Sequence, residues 1–62
     1  MGFKNARINA SLTVKQVQER LGVSDATVYL WETGKMFPRV SRLIEIADLY
    51  GVTVEELLKD EK

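Results

Sequence analysis

The chain has 62 residues, nine of them Lys or Arg and nine Asp or Glu, for a formal net charge of zero. One small domain fits this length, and such a chain buries only about 60% of its unfolded surface. With no Cys and no His there is no disulfide, no thiolate–metal site and no imidazole ligand or proton shuttle, while 45% hydrophobic content is too high for a disordered chain without net charge.

No apolar run is long enough for a membrane span or a signal-peptide core, so a cytoplasmic protein without metal, cofactor or small-molecule ligand is expected. Phe3, Ala6 and Ala10 recur at three- and four-residue steps and predict a first helix over about 3–10. Ser11 and Leu12 form a link. Thr13 is an N-cap candidate with Gln16 three residues on, the capping-box spacing, and Val14, Val17 and Leu21 mark the apolar face of a second helix. Gly22 ends it. Ser24 is the next N-cap candidate, and Asp25 suits the positive end of a helix dipole. Val28 and Trp31 give the third helix its buried side, and Gly34 closes it.

Residues 35–39 read as a loop, because Pro38 disfavours helix at Phe37. Ser41 is the candidate cap of a fourth helix with Leu43, Ile46, Ala47 and Tyr50 on one face, stopped by Gly51. Thr53 and Glu56 form a second capping box, opening a fifth helix with Val54, Leu57 and Leu58; residues 60–62 read as a frayed tail. The expectation is a single all-α domain over 1–62, a compact bundle of five short helices.

The zero charge conceals an asymmetry. Residues 1–42 hold seven basic and three acidic residues, a net of +4, and residues 43–62 hold two basic and six acidic, a net of −4. Such a division can mark a binding face. The basic part contains two helices of about eight residues joined by Gly22-Val23-Ser24. A turn that short makes them cross steeply, with Val17, Leu21, Val23, Val28 and Trp31 inside the corner. This is the spacing of a helix-turn-helix, with its core at 13–32.

The chain resembles the phage-repressor and Cro-like, or XRE-like, helix-turn-helix proteins. The resemblance runs from Phe3 to Leu58. It rests on Leu12-Thr13, Leu21-Gly22-Val23-Ser24, Thr27-Val28, Trp31-Glu32-Thr33-Gly34-Lys35, Pro38 and the run Tyr50-Gly51-Val52-Thr53-Val54-Glu55-Glu56-Leu57-Leu58. It implies the lambda-repressor-like DNA-binding fold. Its third helix, about 25–32, would enter the major groove of double-stranded DNA while the second crosses the backbone. It also implies a transcriptional regulator that binds a two-fold operator as a homodimer.

By that resemblance, Asp25, Ala26, Tyr29 and Leu30 occupy the positions that read base edges. Asp25 can accept from a cytosine amino group, Ala26 and Leu30 can pack on thymine methyls, and Tyr29 can meet a phosphate or a base. The bland alternatives are helix stabilisation for Asp25 and a protein contact for Leu30. Phosphate contacts are expected from Thr13 and the amides opening the second helix, and from Lys35, Arg39, Thr33 and the amides of the following loop. Lys15 and Arg42 rank second, since ordinary surface solubility also explains a basic side chain. Arg7 and Glu32 match positions that form a structural ion pair in relatives.

Three positions depart from the family's pattern. Val14 stands where relatives carry a phosphate-binding Gln, Gln18 stands where they carry Ala, and Asp25 puts a negative charge on the DNA-facing edge.

A second reading makes the same fold an interaction or antitoxin-like module, with Val14, Tyr29, Leu30, Met36 and Phe37 as an apolar patch. In the first reading, the dimer surface falls in the acidic half, with Tyr50, Leu57 or Leu58 as candidates and core packing as the competing role, favoured for Leu57. An enzyme is the least supported class. The carboxylate pairs Glu45/Asp48 and Glu55/Glu56 fall on exposed helix faces, which explains them without catalysis.

Overall fold

The computed structural model describes residues 1–59; the expected frayed tail lies outside them. Five helices form among the described residues: α1 (Phe3–Asn9), α2 (Val14–Leu21), α3 (Asp25–Glu32), α4 (Val40–Tyr50) and α5 (Val54–Leu58). No strand accompanies them, and none of these helices is long and apolar enough to cross a membrane.

The starts of α2 and α5 follow from local chemistry. The Gln16 amide donates to the Thr13 hydroxyl oxygen at 3.1 Å, and the Thr13 amide donates to the Gln16 side-chain oxygen at 2.9 Å. Thr53 and Glu56 repeat the pattern at 3.0 and 3.0 Å. The two bonds from Thr53 hold the Glu56 carboxyl below its ordinary pKa, the backbone bond contributing most. At α3, the Thr27 amide donates to Ser24 Oγ at 3.2 Å. The end of α2 falls at Gly22, with φ 68° and ψ 36°, a left-handed conformation that a Cβ would strain.

The start of α4 corrects the sequence reading. Its N-cap is Arg39, which makes no side-chain capping bond, and Ser41 lies inside the first turn. Pro38 is buried, which anchors the chain just before the helix. Beyond it nothing blocks helical geometry, so the backbone gains the bond from the Leu43 amide to the Arg39 carbonyl, at 2.8 Å. That bond takes precedence over a side-chain cap at Ser41. The first helix also stops one residue short of the expected 3–10, with Ala10 as its C-cap.

The core comprises Ala6, Val17, Val28, Trp31, Leu43, Ile46, Ala47, Tyr50 and Leu57. Val17, Val28, Ile46 and Leu57 are sealed from solvent, each contributing about 1.5–3 kcal/mol of burial free energy. Helix α1 packs on α3, α4 and α5, while α2 packs mainly on α3 and α4 on α5. Tyr50 and Leu57 are therefore core residues and not surface available to a partner. Burial, more than the nearby Glu32 charge, pushes the Tyr50 hydroxyl up to about 12. Leu58 is 43% exposed.

Candidate nucleic-acid interface

The amphipathic pattern of α3 decides which side chains it presents. Val28 and Trp31 face the core, which leaves Asp25, Ala26 and Tyr29 exposed and Leu30 half-buried. Between α2 and α3 lies a shallow groove lined by Val14, Lys15, Gln18, Glu19, Asp25 and Tyr29. The structure thus joins Lys15 with two of the four expected base readers. Gln18 is half-buried along this groove, so the two helices accommodate it at its edge. Glu19 was not singled out from the sequence. Its signal is the i, i+4 spacing from Lys15, which puts both on one face of α2.

Asp25 already has work inside the helix: its Oδ1 accepts from the Ala26 amide at 2.7 Å. One carboxylate oxygen remains for a further donor. Thr13 is exposed, but its hydroxyl oxygen caps α2. The Thr33 hydroxyl donates to the Tyr29 carbonyl at 2.9 Å. Thr33 lines a different depression from the α2–α3 groove, together with Phe3, Phe37 and Leu58. The amides of Thr33, Gly34, Lys35 and Met36 all donate back to carbonyls of α3, at 2.9, 3.3, 3.0 and 3.2 Å. Those four loop amides are used within the chain, so the Lys35 and Arg39 side chains, both exposed, are the loop's cationic contribution.

Arg42 is placed differently. Its Nη1 donates to the Leu21 carbonyl at 2.8 Å and to Glu45 Oε1 at 3.2 Å. The pair with Glu45 is open to solvent, with side-chain exposures of 35% and 59%, and is worth about 0–1 kcal/mol. The part-buried, charge-assisted bond to Leu21 is the stronger, at roughly 1.5–3 kcal/mol. Arg42 and Arg39 line a cleft with Val23, Thr27 and Trp31, between α3 and the start of α4.

Arg7 and Glu32 form the expected ion pair. Arg7 Nε meets Glu32 Oε2 at 2.7 Å, with a longer Nη2–Oε1 contact of 3.5 Å, and the side chains are 12% and 5% exposed. Arg7 Nη1 also donates to the Leu12 carbonyl at 3.0 Å. The hydrogen bond to Glu32 raises the Arg7 pKa further. The pair fixes the end of α3 to α1 and to the link before α2.

A profile of the helix-turn-helix family matches residues 3–57. The chain belongs to this family. This helix-turn-helix chain is 38% identical over 60 residues to the HTH-type transcriptional activator BcrR of Enterococcus faecalis. That alignment covers 97% of the chain and 29% of the relative, so the chain spans less than a third of the length of the curated protein it matches. No solved structure gives a significant match.

Among the large apolar side chains at the surface, Phe37 belongs to the apolar patch read from the sequence, and Val40 and Ile44 do not. Phe37 is 64% exposed, Val40 72% and Ile44 53%. Phe37 stacks edge-on against Phe3 at 6.2 Å between ring centroids. Val40 and Ile44 lie one turn apart on α4, along the border of the buried stripe formed by Leu43, Ile46, Ala47 and Tyr50. Their spacing with Leu43 and Ala47 is that of a single apolar face, so the sequence alone carries no signal that they are exposed.

Proposed function

We propose that this helix-turn-helix chain binds double-stranded DNA with α3 in the major groove and serves in transcriptional control in the cytoplasm. The observation that supports this reading is the exposed arc of Asp25, Ala26 and Tyr29 on an α3 whose other side is buried. Ala26 and Leu30 offer apolar contact to thymine methyls, and the free oxygen of Asp25 suits a cytosine amino group. Tyr29 adds a hydroxyl. Lys15, Lys35 and Arg39 supply the phosphate contacts, with Thr13 and the amides opening α2 beside them. Thr33 and Arg42 rank behind these, because each is hydrogen-bonded inside the chain.

One such helix contacts few bases, so operator-level specificity calls for a homodimer on a two-fold site with half-sites about 34–36 Å apart. Ile8, Met36, Phe37, Val40, Ile44 and Leu58, exposed and outside α3, are the large apolar side chains available for pairing among the described residues.

Selection of bound duplexes from a random pool tests the assignment. The wild-type chain is expected to enrich one consensus. Ala26→Gln is expected to shift it toward adenine at one position, since Gln pairs with the adenine N6/N7 edge. An identical consensus from both proteins would sink the placement of Ala26 against the bases.

A further inference from the structure

The Leu21 carbonyl is among the last four of α2, which have no partner within the helix. The amides of Gly22 and Val23 both turn back to the Gln18 carbonyl, at 2.9 and 3.2 Å, and leave Leu21 to an outside donor. That donor is Arg42 of α4, 21 residues away, and it brings a positive charge to the negative end of the α2 dipole. The side chain therefore spans from α4 to the turn that joins α2 and α3, across the cleft lined by Val23, Thr27 and Trp31. Glu45, on the same helix, accepts from the same nitrogen and holds the guanidinium toward that turn.

We infer that Arg42 is a positioning residue for DNA reading, fixing the 22–24 turn, and through it the angle of α3, against α4. This rests on the reading of α3 as the base-contacting helix. It assigns Arg42 a role separate from Lys35 and Arg39, whose side chains are exposed beyond α3. A phosphate ligand contributes equally to every sequence and to the salt slope, about 0.9 per contact on duplex DNA. A residue that aims the reading helix contributes to discrimination between sequences and leaves the slope alone.

The test compares the wild-type chain with Arg42→Met, which keeps the apolar stem and removes the donor and charge. Three quantities are read: the ratio of affinities for a selected and a random duplex, the slope of log affinity on log salt, and amide hydrogen exchange. The ratio is expected to fall by about tenfold, the order of one misplaced base contact, with the slope unchanged. Exchange at Gly22 and Val23 is expected to quicken relative to α5. A slope lowered by about 0.9, or a ratio and exchange pattern identical to wild type, overturns the inference.

If Arg42→Met does not fold, Arg42→Lys replaces it. Lys keeps the charge, but its nitrogen ends one bond short of Nη1, the atom that makes both Arg42 bonds, so loss of selectivity at constant slope supports positioning, and wild-type behaviour in all three readouts overturns it. Wild-type protein that binds no duplex at low salt removes the DNA reading itself. The exchange measurement then decides the Arg42 tie on its own: quickening at Gly22 and Val23 keeps the tie, and unchanged exchange refutes it.

Discussion

Arg7 touches two acceptors on separate parts of the chain, the Glu32 carboxylate and the Leu12 carbonyl, and both lie within 3.0 Å. Glu32 is almost fully desolvated, with 5% side-chain exposure. Removing Arg7 strands that carboxylate. Arg7→Met is expected to cost about 3 kcal/mol, the low end for breaking a buried pair. A domain of this length has only about 3–9 kcal/mol of total stability, so the loss shows directly in a urea titration followed by circular dichroism. Adding Glu32→Leu is expected to recover part of it, because the orphaned charge goes too. A cost below about 1 kcal/mol for Arg7→Met would instead mark the pair as an ordinary surface contact.

At this scale the sequence is legible only in part. Nothing in the spacing of Arg7 and Glu32 brings them together; family resemblance does. The Leu21–Arg42 bond is invisible because its acceptor is a backbone carbonyl and carries no side-chain signature. Tyr50, equally open to a surface or a core role from its position on α4, is decided by burial.

Among elements, the capping boxes at Thr13 and Thr53 are readable because their partners are three residues apart, and a bond of that reach survives any tertiary arrangement. The start of α4 is not, because a buried Pro38 decides it from outside the helix. The link between α1 and α2 adds a further case. Ser11 has φ 60°, left-handed for a residue with a Cβ, while its amide donates to the Ile8 carbonyl at 2.9 Å. The left-handed conformation costs roughly 1–2 kcal/mol with a Cβ, and glycine loses roughly 0.5–1 kcal/mol through its freer unfolded chain. The first effect is larger. Ser11→Gly is therefore expected to stabilise the domain by on the order of 0.5–1 kcal/mol, read as a higher urea midpoint at unchanged slope. A lower midpoint would mean that the Ser11 side chain holds the link in a way the backbone geometry does not convey.

For the molecule as a whole, the net charge of zero separates along the sequence. The segment carrying α1 to α3 and the following loop is net +4, and the segment carrying most of α4 and α5 is net −4. The basic segment favours approach to a polyanion, although Glu19 and Asp25 in the α2–α3 groove oppose it locally. The five-helix architecture is legible because every helix carries its own apolar residues at helical spacing, and Gly22, Gly34 and Gly51 close α2, α3 and α4. The surface beyond α3 was less so, since Val40 and Ile44 look like core residues until α4 is oriented.

The most direct test of DNA binding through this half is a duplex titration over a range of salt, comparing the wild-type chain with Lys35→Ala/Arg39→Ala. Affinity is expected to fall steeply with salt, and the double variant to bind all duplexes more weakly with a slope reduced by about 1.8, two phosphate contacts. A salt-independent curve, or no binding at low salt, would contradict the account.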